Sequence, residues 1–219
     1  YRLIVLAPSS VQEMADFVFL GFDLADKYRN PVLILSDGAI GQMMEKVVLP
    51  EEGSLPKVPT PWATTGKPAD RKSNYITSLF IQPEKMEQVN LELQAKYASM
   101  QKEVRYEEFS TEDAEVVMIA FGLSARVCQK AVDIAREKGI KAGLLRPITL
   151  YPYPYKAISD LAAKVDFMLV VEMNAGQMVE DVRLAVNGKV PVHFKGRMGG
   201  MITSPEDVVA EIESIIEKQ

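Results

Sequence analysis

Cysteine and histidine are nearly missing from this chain: each occurs once in 219 residues. With Cys128 alone no intrachain disulfide forms, and a cytoplasmic setting fits. The same scarcity excludes an iron–sulfur cluster or a cysteine zinc site held by this chain by itself, since both need several thiolates. Any Ser-His-Asp triad would have to use His193, which lies mid-strand between Val192 and Phe194, and no nucleophile elbow accompanies it. No apolar run approaches the roughly 20 residues that cross a bilayer, and no signal peptide is visible, so no membrane partner is expected. Basic charge is short as well. The 25 Lys and Arg stand against 30 Asp and Glu, for a net −5, without the basic stripe of a nucleic-acid binder. Neither GxxxxGK nor a GxGxxG after a strand occurs, which removes the usual nucleotide-phosphate loops.

What is present is an α/β pattern in three parts. Residues 1–50 read as strand, helix, strand. "RLIVLAP" is a continuous apolar run, Ser10 with Glu13 forms a candidate capping box, and Met14, Phe17, Val18, Leu20 and Leu24 make a wide apolar face that Gly21 leaves open to a close neighbour. A strand at the very first residue has no sheet to join, so sequence before Tyr1 is expected to belong to the same domain. Residues 51–106 begin as a proline-broken arm, with Pro56, Pro59, Pro61 and Pro68, in which Trp62, Tyr75 and Phe80 are expected to dock on a surface. The arm leads into a long polar helix over 83–106 whose narrow stripe is Met86, Val89, Leu93, Tyr97 and Met100. Residues 107–219 alternate strand and helix in four βα units, and predict a doubly wound parallel sheet covered on both faces. The last helix has Ser204 as N-cap and Pro205 at its first position. Cys128 falls inside a predicted helix among apolar neighbours and reads as a core thiol.

Ligands in open α/β sheets bind at the carboxyl ends of the strands. The residues there are Gly122 and Ser124, then Arg146, then Glu172, Asn174, Gln177 and Met178, then Arg197. A helix N-terminus beside Gly122 or Gly176 offers backbone N–H groups to an anion. Glu172 is a candidate general acid or base, though a helix-capping or interface carboxylate is the preferred reading. Met43, Met44, Met178, Met198 and Met201 are a candidate adaptable contact surface, which favours self-association or a partner. One short pattern occurs twice. "SDGAIGQMM" and "VEMNAGQMV" each put Gly-Gln-Met shortly after an apolar run that ends in an acid.

The stretches "VVMIAFGLSARVCQKAVDIAREKGIKAGLLRPITLYPYP" and "LVVEMNAGQMVEDVRLAVNG" resemble the second domain of the thiamine-diphosphate-dependent 2-oxoacid:ferredoxin oxidoreductases. The wider pattern is similar to the transketolase C-terminal domain. The front, through "SDGAIGQMM", resembles the end of the pyrimidine-binding domain of the same enzymes. Within the family the match is to the subunit of the branched-chain enzyme that acts on 2-ketoisovalerate (3-methyl-2-oxobutanoate). The resemblance implies a doubly wound, transketolase C-terminal-like domain preceded by a partial α/β thiamine-pyrimidine-binding domain. It implies oxidative decarboxylation of a 2-oxoacid to acyl-CoA, with electrons passing to ferredoxin and coenzyme A taking the acyl group. Thiamine diphosphate would be shared between subunits, with iron–sulfur clusters and Mg in partner subunits. The activating glutamate would precede Tyr1, so no catalytic residue is carried onto this numbering and no cofactor is expected in this chain alone. The pyruvate and 2-oxoglutarate enzymes share this second domain. Two rivals stand beside this reading: a non-catalytic interaction module of the same fold, and a free-standing α/β enzyme using Glu172 and Arg197.

Overall fold

The computed structural model describes residues 2–51, 59–64, 66–67, 69–70 and 72–218; Tyr1, Pro56 and Pro68 lie outside the described residues. The first apolar run forms strand β1 (Ile4–Leu6), with Ile4 and Leu6 fully buried. Helix α1 (Val11–Tyr28) starts where Ser10 accepts a hydrogen bond from the Glu13 N–H at 3.1 Å. Only half of the expected capping box forms, because the Glu13 carboxylate turns instead to the Ser9 N–H at 2.7 Å and to Arg146. The buried face of α1 is Phe17, Gly21, Leu24 and Tyr28, narrower than the sequence implies; Val18 is 43% exposed. Strand β2 (Val32–Ile34) then pairs parallel to β1, and a 3₁₀ turn follows at Ile40–Gln42.

In the arm, Trp62 stacks under the Arg29 guanidinium at 5.2 Å, whereas Tyr75 is 90% exposed and docks on none of the described residues. Helix α2 (Pro83–Ser99) ends earlier than the polar pattern suggests and tightens into a 3₁₀ turn at Met100–Glu103. Only the end of its stripe meets a core: Met100 is buried with Ile4, Leu6, Phe17, Leu24 and Tyr28, and Tyr97 packs beside them. The turn carries Glu103 inward, where it accepts from Lys27 Nζ at 2.6 Å and the Tyr28 hydroxyl at 2.7 Å. Burial opposes ionisation of Glu103. The hydrogen bonds from Lys27 and Tyr28 and the charges of Lys27 and Arg105 together outweigh it, and hold the carboxyl below its usual range. A depressed carboxylate adds stability that is present above the ordinary value of 4.5 and is lost as the pH falls through the lower folded-state value. Glu103→Gln is therefore expected to flatten the acid limb of the stability curve. Urea midpoints of both proteins between pH 6 and pH 3 check this, with the wild-type advantage shrinking toward pH 3.

The rest of the chain adds β3 (Tyr106–Phe109), β4 (Val116–Ile119), α3 (Gly122–Glu137), β5 (Ala142–Pro147), β6 (Thr149–Tyr151), α4 (Tyr155–Leu161), β7 (Phe167–Glu172), α5 (Met178–Val186), β8 (Val192–Gly196) and α6 (Pro205–Ile216). The five-stranded sheet has the order β3-β5-β4-β7-β8; its pairs are parallel except β3 with β5. Alternate residues of the central strands feed opposite faces. Val116, Met118, Leu169 and Val171 pack on α3 and α6, around Cys128, Ala131, Val132, Val208 and Ile212. Val117, Ile119, Met168 and Val170 pack on α4 and α5, around Ile158, Leu161, Met178 and Val182. Burial on both faces explains why these strands read as unbroken apolar runs. Cys128 lies wholly inside, and burial pushes its thiol far up, so it is inert. The sequence reading gave no strand at 106–109. "YEEF" is a solvent-facing edge with no apolar run to announce it.

A larger difference lies at residues 140–152, where the run "IKAGLLRPITLYP" predicts one strand ending in prolines. It breaks at Ile148. β5 stays in the large sheet, while β6 crosses to the other and pairs antiparallel with β1, giving β2-β1-β6. The Ala7 N–H donates to the Ile148 carbonyl at 2.8 Å at the crossing point. One strand path thus joins the two sheets.

Candidate functional site

The carboxyl ends of β2, β4 and β7 converge on a cleft of about 200 Å³ lined by Leu35, Ser36, Asp37, Phe121, Gly122, Ser124, Glu172, Met173, Asn174 and Gln177. A second hollow of about 460 Å³ shares Asp37 and Met173 with it and continues past Gly38, Gln42, Gly200, Met201 and Ile202. The groove therefore runs between the two α/β units.

Its two carboxylates have the same task. Glu172 is 3% exposed and ends β7. It accepts from the backbone N–H groups of Met178 at 2.9 Å and Val179 at 3.0 Å, from Gln177 at 3.3 Å, and from the Asn174 amide at 3.0 Å. Those are the orphan donors of the α5 N-terminus, so Glu172 is a helix cap and its lone pairs are spoken for. Asp37, after β2, accepts from Ala39 at 3.0 Å and Ile40 at 2.8 Å through Oδ1, and from the Leu123 N–H of α3 at 3.0 Å through Oδ2. The N-cap residue of α3, Phe121, has no capping side chain, and Asp37 does that work from the neighbouring unit. The repeated Gly-Gln-Met thus follows, in both places, an acid that folds its carboxylate back over the next turn. Gly196 lets this happen closely, since a Cβ there would sit 2.4 Å from the Asn174 carbonyl oxygen.

Gly122 takes φ +58°, and a Cβ on it would stand 3.0 Å from Asp37 Oδ2. Gly122→Ala is expected to cost about 2–3 kcal/mol, from left-handed strain and a displaced cap. The loss should be less than additive with Asp37→Ala, because both remove the same contact. Urea unfolding of the two single variants and the double variant measures it.

The remaining candidates are distributed around this groove. Ser124, 4% exposed, lines the cleft and its hydroxyl makes no hydrogen bond among the described residues. Asn174 holds Glu172 and accepts from the Gly176 N–H at 2.7 Å. Gln177 is exposed at the mouth. Met178 is 5% exposed and belongs to the core, which corrects its place in the methionine surface; Met43, Met44, Met198 and Met201 remain exposed. Arg197 lies outside the cleft, 3.8 Å from Asp207, so it does not join the Glu172 carboxylate and the pair does not form an acid–base couple. Arg146 is buried at the junction of the units. It donates to Glu107 at 2.9 Å and to Glu13 at 3.0 Å, with a second, shorter bond to Glu13 and one to the Ala7 carbonyl at 3.3 Å. Arg126 makes a parallel bridge to Glu45 at 2.7 Å, and Glu45 in turn caps the Val11 N–H at 2.9 Å. Those bonds hold the Glu45 carboxyl below its usual range. Asp37, Glu13, Glu45 and Arg126 were not among the sequence candidates. The signals for Asp37 were its Asp-Gly pair, which reads equally as a strand stop, and its place as the acid before the first Gly-Gln-Met.

The sequence matches two family models end to end: "Pyruvate flavodoxin/ferredoxin oxidoreductase, thiamine diP-bdg" over residues 1–113, and "Pyruvate:ferredoxin oxidoreductase core domain II" over residues 114–208. The chain belongs to this oxidoreductase family. Among its relatives, the ketoisovalerate oxidoreductase subunit VorB of Methanothermobacter marburgensis is 48% identical over 216 residues, covering 98% of this chain and 61% of that protein. The 2-oxoglutarate synthase subunit KorA of the same organism is 32% identical over 238 residues, covering 97% of this chain and 64% of that protein. The chain therefore spans less than two thirds of the length of these oxidoreductase subunits. A solved 2-oxoglutarate:ferredoxin oxidoreductase from Magnetococcus marinus, with 2-oxoglutarate, coenzyme A and succinyl-CoA bound, superposes with a TM-score of 0.72 at 19% identity. It covers 97% of this chain and 42% of that one, and shows the fold.

The first of these families binds thiamine diphosphate. The residues of the groove do not fit its diphosphate. Both helix N-termini that face the cleft already hold a carboxylate, Asp37 at α3 and Glu172 at α5, and no lysine or arginine lines either hollow. Among the described residues no group of three metal-ligating side chains converges either. No helix of the described residues is long and apolar enough to cross a membrane.

Proposed function

We propose that this chain forms part of a subunit of a thiamine-diphosphate-dependent 2-oxoacid:ferredoxin oxidoreductase, and that its substrate is 2-ketoisovalerate. The 48% identity to a ketoisovalerate oxidoreductase subunit, against 32% to a 2-oxoglutarate synthase subunit, is the observation that carries the reading. The reaction would convert 2-oxoacid and coenzyme A into acyl-CoA and carbon dioxide, with two electrons passing to ferredoxin. Residues 1–50 would close a pyrimidine-binding domain, 51–106 would bridge, and 107–219 would form the second domain. The clusters, the Mg and the diphosphate site would belong to partner subunits, in a cytoplasmic complex. This part of the subunit supplies rigid packing and contact surface, because its buried arginine, Arg146, ties the two units together and its buried carboxylates Glu103 and Glu172 are engaged in internal hydrogen bonds.

The complex purified with its partner subunits should reduce a viologen dye when given coenzyme A and a 2-oxoacid. The expected order of kcat/KM is 2-ketoisovalerate well above 2-oxoglutarate and pyruvate. A preparation that oxidises none of the three would overturn the assignment, and a preference for 2-oxoglutarate would move the substrate.

A further inference from the structure

We infer that the free edge of β2, with the apolar groove beside it on α1, seats a further strand and helix of the same subunit, from the part of it that lies outside these 219 residues. This rests on the subunit reading above. The groove is a hollow of about 150 Å³ lined by Val18, Gly21, Phe22, Ala25, Val32 and Ile34, without one polar side chain. Phe22 stands on its wall, 70% exposed. The opposite face of the strand is open too, with Leu33 43% and Leu35 40% exposed.

The five-stranded sheet shows how this molecule finishes an edge that meets water. β3 carries Glu107 and Glu108, and β8 carries Lys195. Charge on an edge turns other strands away. β2 has no such guard: Val32, Leu33, Ile34 and Leu35 follow one another without a charge. The run is of the same kind as β4 and β7, which are buried on both faces in the middle of the large sheet. β2 thus has the composition of an inner strand in the position of an outer one. Its hydrogen bonding is half complete as well. The Leu35 N–H donates to the Leu6 carbonyl at 2.8 Å, so by alternation the Ile34 N–H points to the free side, where no strand of the described residues pairs.

The occupant follows from what the first unit lacks. The chain covers 61% of the VorB subunit and 64% of the KorA subunit, so more than a third of each has no counterpart here. Within residues 1–113, matched by the thiamine-diphosphate-binding family, β1 and β2 are the only strands of the small sheet, and its third strand, β6, comes from the second unit. Two strands are too few for a stable sheet of their own. A parallel pair grows by another strand and its crossover helix, and the helix covers an open face. The remaining part of the subunit supplies both.

The test uses the full-length subunit in complex with its partner subunits. A photocrosslinking side chain in place of Phe22 is expected to join a segment of the same polypeptide outside residues 1–219. Mass spectrometry of a complex assembled from light and heavy copies separates that product from a link between two copies. A crosslink to a second copy, to another subunit, or only back into these 219 residues would overturn the inference. In the wild-type complex the Ile34 amide should exchange with deuterium at least about 100-fold more slowly than an unprotected amide, and free exchange would overturn it equally. Leu33→Lys should raise the unfolded fraction of the subunit at a fixed urea concentration at least about tenfold, whereas Leu184→Lys, the same change at a 67% exposed position on α5, leaves it unchanged. Equal tolerance of the two lysines counts against the seat. Should Leu33→Lys yield no folded subunit, the residue 22 crosslink and the Ile34 exchange decide. Dye reduction by the same preparations separates the two readings. An active complex whose residue 22 crosslinks elsewhere sinks the seat alone, and the expected crosslink in a complex that oxidises no 2-oxoacid sinks the functional reading alone.

Discussion

Glu172→Ala is expected to lower the stability of the chain by about 3–5 kcal/mol, because three backbone N–H groups at the start of α5 lose their acceptor inside the protein. Glu172→Gln keeps the shape and one acceptor oxygen, yet it turns the other into an N–H₂ that faces N–H donors. It should cost less, about 1–2 kcal/mol, in line with the weaker neutral hydrogen bond. This ordering separates a cap from a catalytic acid. A catalytic carboxylate would lose activity in the Gln form at unchanged stability, whereas a cap loses stability in both forms, in proportion to the bonds it made. Urea unfolding followed by far-ultraviolet circular dichroism gives the two values. Equal stability of wild type and Glu172→Ala would mean that the Gln177, Met178 and Val179 amides find water, against the 3% exposure of the carboxylate that now covers them.

The second large effect is expected at Arg146. Its side chain is 8% exposed and bridges Glu13 on α1 to Glu107 on β3, with a further bond to the Ala7 carbonyl. Arg146→Met removes the cation and leaves Glu13, at 22% side-chain exposure, facing a closed junction. Stranding one member of a buried pair costs about 3–5 kcal/mol, and the partial access of Glu13 puts this case near the lower figure. Replacing both partners, Arg146→Met with Glu13→Leu, should recover much of the loss, since the charge then left behind, Glu107, is 60% exposed and open to water. A thermodynamic cycle with Glu13→Gln is expected to return a coupling of about 2 kcal/mol, well above the value for an exposed ion pair. Because the bridge spans the two units, Arg146→Met should also broaden the unfolding transition, as seen in a lower urea m-value.

Much of the fold was legible from the chain itself. The continuous runs of β4, β5 and β7 carry no alternation because helices cover both faces, and that pattern is readable without coordinates. Ser204 announces its helix completely: its hydroxyl accepts from Asp207 and Asp207 returns the bond. What escaped was set by partners remote in sequence. Glu13 looks like a capping-box residue, but Arg146, 133 positions away, competes for the same carboxylate and wins with charge. The break at Ile148 follows from pairing between Thr149–Tyr151 and β1, an arrangement no local propensity encodes. At the groove, the strand-end rule found Gly122, Ser124, Glu172, Asn174 and Gln177 together. It missed Asp37, whose role depends on a helix 86 residues later.

The passage of a single strand path from β5 into β6 has a mechanical meaning. The halves share a seam rather than a swivel, so the gap they enclose has the fixed width of a dovetail joint. Severing the covalent link within the exposed residues 72–79 would leave both pieces clasped, because Tyr151 and Thr149 stay zipped to Val5 and Leu6.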